Sequence, residues 1–196
     1  MKTFTGFLLK SGLPLFAIFA SVLVQAESLL LHDQSSIRFI SVKNAAVAEV
    51  HYFGSLSGVI SNSGAVQVNI PLVDVETLIP IRNERMREML FETVRFPSAQ
   101  LRAQVDMKTI KALANGEYME LDLSLSLDLH GNTRDLMTGV SVARLGDELH
   151  VQTLQPLLLQ VSDFGLGDGV ERLREVAGLQ NIATAVPVMA HLVFSR

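Results

Sequence analysis

Between residues 121 and 129 apolar and polar side chains alternate without a break. Leu121, Leu123, Leu125, Leu127 and Leu129 are separated by Asp122, Ser124, Ser126 and Asp128. A period of two puts the leucines on one face of a strand and the polar groups on the other, the mark of an antiparallel strand with one buried side. The same alternation runs through Val66-Gln67-Val68-Asn69-Ile70, behind the turn Ser61-Asn62-Ser63-Gly64 and a strand ending at Val59-Ile60. That combination predicts a hairpin. Further strands are predicted over residues 36–42, 47–53, 99–107, 137–144, 149–159 and 185–194, with turns at Asn115-Gly116, His130-Gly131-Asn132 and Gly146-Asp147.

Two segments change period. Residues 82–91 carry Met86, Met89 and Leu90 at helical spacing behind Pro80. Residues 169–177 carry Val170, Leu173, Val176 and Ala177, and Gly178 stops them. About eight strands, two short helices and no linker or repeat predict one all-β domain over residues 27–196. The expected architecture is a closed, eight-stranded antiparallel barrel, with a sandwich as the alternative. A barrel of that size holds side chains or one small ligand. Ile37, Phe39, Val66, Val68, Ile70, Leu121, Leu123, Leu125 and Leu127 would face inward, either filling the core or lining an apolar cavity. Alternation is compatible with both.

Composition narrows the setting. The 196 residues are 48% hydrophobic and 18% charged, with a mean hydropathy of +0.33. Part of that excess lies at the start, where Lys2 and Lys10 precede an apolar run over residues 13–24 and small residues lead to Ala26. This is the layout of a secretory signal peptide cleaved after Ala26, which implies export to the periplasm. The run is too short for a membrane span of about 20 residues. Without Lys2 and Lys10, 14 basic residues face 20 acidic ones, a formal charge of −6. So acidic a chain offers no basic surface for nucleic acid. It has no cysteine, which excludes disulfides, zinc–thiolate sites, cysteine nucleophiles and a cysteine-linked lipid anchor.

Candidate chemistry is sparse. His32, His51, His130, His150 and His191 show no metal-ligand spacing. The first, third and fourth are expected in solvent; His51 and His191 sit on strands. Gly165-Leu166-Gly167-Asp168-Gly169 reads as a turn with Asp168 as helix N-cap. Nothing recommends a catalytic residue, a metal site or a cofactor. Arg82, Arg85 and Arg87 alternate with Glu84 and Glu88. They form either an exposed helix surface or, at a barrel mouth, a clamp for a phosphate or pyrophosphate head.

Four blocks then resemble one family. They are Asp74-Val75-Glu76-Thr77 with residues 82–91 and Val94-Arg95-Phe96-Pro97-Ser98-Ala99; Leu127-Asp128-Leu129-His130-Gly131-Asn132-Thr133-Arg134; Phe53 with Leu56-Ser57-Gly58; and Ser162-Asp163-Phe164-Gly165. In their order along the chain they resemble the YceI-like family over the whole mature chain. The resemblance implies a lipocalin-like barrel with a lid helix, in an exported bacterial protein that binds polyisoprenoid or amide-type lipids inside. Phe53, Met86, Met89, Leu90 and Phe164 join the candidate cavity residues, with His51, Arg85 and Arg87 as candidates at a head group. The family's usual His or Asp near the first helix is replaced here by Arg85-Met86-Arg87-Glu88-Met89-Leu90-Phe91, a more apolar lid with adaptable methionines. The expectation is a non-enzymatic carrier of a long-chain isoprenoid lipid, of polyisoprenoid or isoprenoid-quinone type, with a homodimer permitted. The alternatives are an enzyme using an inward His51, His191 or Arg85, and an interaction or stress-response module with a solid barrel.

Overall fold

The structure is a computed structural model that describes residues 27–195; the leader expected over residues 1–26 lies outside the described residues. The described residues form twelve strands: β1 (Ser28–Leu30), β2 (Ser36–Lys43), β3 (Val47–Phe53), β4 (Ser57–Ile60), β5 (Ala65–Pro71), β6 (Val75–Glu76), β7 (Ser98–Gln104), β8 (Tyr118–Leu129), β9 (Asn132–Leu145), β10 (Glu148–Thr153), β11 (Leu157–Gln160) and β12 (Ala185–Ser195). The helices are α1 (Pro80–Arg85), running on into one π-helical turn (Met86–Leu90), α2 (Met107–Ala112) and α3 (Gly167–Val176).

Every strand pairing is antiparallel, and the sheet closes on itself through β1-β4-β5-β7-β8-β9-β10-β12 and back to β1. The result is a barrel, not a sandwich. Four staves are built from two segments each. Beyond the closed ring, β12 continues and pairs β11 on one side and β2 on the other, while β2 pairs β3 and β3 pairs β6. Around the wall the staves therefore run β1/β2, β3/β4, β5/β6, β7, β8, β9, β10/β11 and β12, an up-and-down meander in chain order. At this end the wall is open between β6 and β11. The helical turns of α1 and α3 pack together there, and Met86, Leu90, Val170 and Leu173 face the interior.

Three expectations change on folding. The strand predicted over residues 99–107 stops at Gln104, because the Asp106 carboxylate accepts from the Lys108 amide at 2.9 Å and the Thr109 hydroxyl at 2.6 Å. That side chain caps α2, which the sequence reading lacked, and α2 buries Ile110. The strand predicted over residues 149–159 breaks at Pro156, which has no amide to continue the ladder. Asp168 is not the N-cap of α3. That place is taken by Leu166, without a side-chain cap, and Asp168 sits in the first turn, where its charge suits the positive end of the helix.

A buried amide ties α1 to the barrel. Asn83 is only 7% exposed; its oxygen accepts from the Thr77 amide (2.9 Å) and hydroxyl (2.6 Å), and its nitrogen donates to Glu76 at 3.0 Å. The Glu76 carboxylate also accepts from the amide of Leu78, a residue held at φ +62°. Asn83→Ala leaves buried donors without partners and should cost about 1–3 kcal/mol. A lower urea midpoint at unchanged slope would register it.

Candidate functional site

The barrel is hollow. A cavity of about 570 Å³ occupies the end beneath α1 and α3, and a second of about 90 Å³ lies beyond it. Leu101, Leu125, Thr138, Thr153 and Ala190 wall both, so they form a waist between two chambers of one interior. The larger volume falls within the range of pockets that enclose small ligands.

Most of the candidate residues meet here. Ile37, Phe39, Phe53 and Ile70 line the larger chamber from the strands, and Leu125 and Leu127 join them from β8. Met86, Leu90 and Phe164 close it from the helical side, and His51 and Arg85 reach it as well. Val66, Leu121 and Leu123 line the smaller chamber with Leu125.

Three candidates do not line either chamber. Val68 is fully buried, at 0% exposure, between Val66 on one chamber and Ile70 on the other, where it belongs to packed wall. Met89 turns away because the π turn brings Met86 and Leu90 inward, and its carbonyl instead accepts from Arg172 at 2.6 Å. Arg87 points outward and donates to the Val73 carbonyl at 3.2 Å.

The polar groups gather at one end. The Glu49 carboxylate lies 2.8 Å from the Lys43 ammonium and 2.7 Å from the Arg82 guanidinium. Arg82 also donates to the Thr77 carbonyl at 2.7 Å. The hydrogen bond from Lys43, ahead of the charge of Arg82, holds the Glu49 carboxyl below its ordinary pKa against the opposing pull of burial. Lys43, Glu49 and Arg82 all line the large chamber; Arg82 is one of the arginines expected at a barrel mouth, while Lys43 and Glu49 are additions from β2 and β3.

One step deeper, His51 is 2% exposed. Its Nε2 meets the Ser41 hydroxyl at 2.8 Å, and its Nδ1 is buried without a protein partner. Phe39 stacks beside it at 5.1 Å between centroids. Burial, seconded by the charge of Arg82, pushes the His51 pKa down to about 4. The imidazole is therefore neutral at pH 7.

That shift makes the fold acid-sensitive. Above pH 6.5 neither state binds the proton. Between about 6.5 and 4 the unfolded chain takes it up and the fold does not, so stability falls as pH drops, by about 3 kcal/mol across the window. Thermal melts from pH 7 to 4.5 should show that decline, and His51→Gln should flatten it.

The other histidines lie outside the cavity. His32 is exposed beside Asp33, at 2.9 Å. His130 is not solvated as expected: its side chain is 12% exposed and its ring packs on Phe96 at 4.3 Å. His150 is half-buried too, 3.1 Å from Glu148 and 5.7 Å from the His191 ring. Burial, with help from His150, lowers the His191 pKa, but His191 lines neither chamber. Among the described residues, no group of three or more His, Asp or Glu side chains is placed to hold a metal ion, and no helix is long and apolar enough to cross a membrane.

Residues 30–194 match the family model described as the YceI-like domain. A solved polyisoprenoid-binding domain from Saccharophagus degradans, implicated in plant cell wall breakdown, is 41% identical, with a TM-score of 0.85 over 87% of this chain and 98% of that one. BcnA from Burkholderia cenocepacia shares the fold at 17% identity, with a TM-score of 0.66 over 84% of this chain and 98% of its own. No curated protein matches the chain.

Proposed function

This chain belongs to the YceI-like family, and from that premise we propose that it is an exported, non-enzymatic binding protein. Its barrel holds one long apolar lipid of polyisoprenoid or isoprenoid-quinone type. The observation that carries this reading is the cavity itself: two chambers in line, walled by aliphatic and aromatic side chains, with charged groups confined to one end. The related domain from Saccharophagus degradans, described as polyisoprenoid-binding, supports the same ligand class.

The physics favours a chain over a compact solute. Burying about 400 Å² of apolar ligand contributes about 10 kcal/mol before ordering costs. No catalytic group is needed for that. A solid-cored interaction module fits poorly with a cavity of about 570 Å³, since protein interiors otherwise pack without large voids.

The test is native mass spectrometry of protein recovered from the periplasm of its own host, followed by solvent extraction. One bound lipid with a long unsaturated chain is the expected result. Protein that is lipid-free, and stays so after incubation with a polyprenol, overturns the reading. The same material should begin at Glu27 on N-terminal sequencing if the leader is removed after Ala26.

A further inference from the structure

The polar end of the cavity contains two kinds of group, and they are in different states. The cations are already engaged. Lys43 and Arg82 share the Glu49 carboxylate at 2.8 and 2.7 Å, and Arg82 also serves the Thr77 carbonyl. Its Nε is buried without a partner, yet it sits on a guanidinium already paired with Glu49. Arg85, at the rim, donates to the Val176 carbonyl at 3.4 Å. That carbonyl is at the C-terminal end of α3, whose dipole repels anions. A phosphate placed among these groups would have to sit against the Glu49 carboxylate at Lys43 and Arg82, or against the negative end of α3 at Arg85.

His51 differs. It is buried, neutral and unpaired at Nδ1, and it lines the chamber one step inside the charged ring. A buried ring nitrogen without a partner is costly. The Ser41 hydroxyl on Nε2 can donate or accept. When the serine donates, Nδ1 carries the proton and offers it; when the serine accepts, Nδ1 is a bare acceptor. The pair can therefore serve a carbonyl oxygen or a hydroxyl with the same geometry.

We propose that His51 Nδ1 holds the uncharged oxygen head, hydroxyl or carbonyl, of the bound chain, and that this end of the cavity selects such heads over anionic phosphates. This rests on the lipid-binding reading above and assigns the direction of the chain: oxygen at the Glu49–Arg82 end, tail toward the waist at Leu125.

Three ligands of one chain length separate the possibilities: a polyprenyl hydrocarbon without oxygen, the matching polyprenol and its monophosphate. Each is titrated into the delipidated full chain. The polyprenol should bind about tenfold tighter than either of the others, about 1.4 kcal/mol. His51→Gln keeps a donor where Nε2 met Ser41 but has nothing at Nδ1. It should bring the polyprenol to the hydrocarbon's affinity while leaving the hydrocarbon unchanged. His51→Asn, whose amide stands near the Nδ1 position, should restore part of the preference.

A monophosphate that binds as well as the polyprenol or better overturns the proposal, and so does a polyprenol preference that survives in His51→Gln. Hydrocarbon binding with no preference for the polyprenol overturns it while leaving the lipid-binding reading intact. Failure of all three to bind removes both. Circular dichroism of each variant confirms that a lost preference is not a lost fold.

Discussion

Leu101→Trp should stop a long chain from passing the waist. Leu101 stands on β7 and walls both chambers, so an indole there stands where a chain reaching from one to the other would have to go. A ligand shortened by about 100 Å² of apolar contact loses about 2.5 kcal/mol, or between about fifty- and a hundredfold in affinity. A short chain that ends before the waist should bind as before. The fold has room for the larger side chain, so the stability cost should stay within about 1–3 kcal/mol. Because the natural chain has no tryptophan, the new indole is also the reporter. Its emission should shift to the blue when a short ligand fills the chamber beside it. Full-strength binding of the long chain would show that the two chambers are not one path.

The second large effect is expected where the roof of the cavity is tightest. Gly169 on α3 faces the π turn so closely that a Cβ would lie 2.8 Å from the Met89 carbonyl oxygen and 2.9 Å from the Leu90 Cα. Both are backbone atoms, and neither can rotate aside. Gly169→Val should therefore push α3 off the π turn, at a cost of about 2–4 kcal/mol. In a domain of this size that lowers the melting temperature by roughly 5–15 °C. Arg172, which ties α3 to the Met89 carbonyl, would lose its partner in the same movement, and the lipid off-rate should rise. Gly167→Ala is the control. A Cβ there meets nothing within 4 Å, and the change should be neutral or slightly stabilising. Equal melting temperatures for the two variants would refute the close-approach explanation.

The barrel was legible because its strands are long and wet on one side. In β8 the parity of the leucines gave the inward face directly, and Leu125 and Leu127 are buried as that parity requires. The polar end follows the same parity. The parity that turns Ile37 and Phe39 inward also turns Ser41 and Lys43 inward, and the parity of Phe53 does the same for His51 and Glu49. The polar members of each pattern thus share the cavity with its apolar members.

Other features had no local signal. Arg82 reaches Glu49 across 33 positions of chain, and it is the pairing of β3 with β6 that brings α1 to β3. The orientation of Met89 depends on a single π turn, which shifts the helical period by one residue where the sequence reads as ordinary helix. His130 was expected in solvent because it lies in a turn, but Phe96, from a different segment, covers it.

The meander has a kinetic corollary. Each stave pairs with the one before it in the chain; four of the seven connections are tight turns, and the other three carry α1, α2 and α3. One seam is different: Leu30 lies opposite Phe194, and Ile37 opposite Ala190. The entropy of bringing distant segments together is concentrated along that one line. Hairpins can form in microseconds as neighbours meet, while the ring waits for its first and last staves. Until they join, the interior is an open, sticky trough rather than a container, with the free edges of β1/β2 and β12 unpaired. A hydrophobic guest present at that moment would be wrapped by the closing wall instead of having to thread through a finished one.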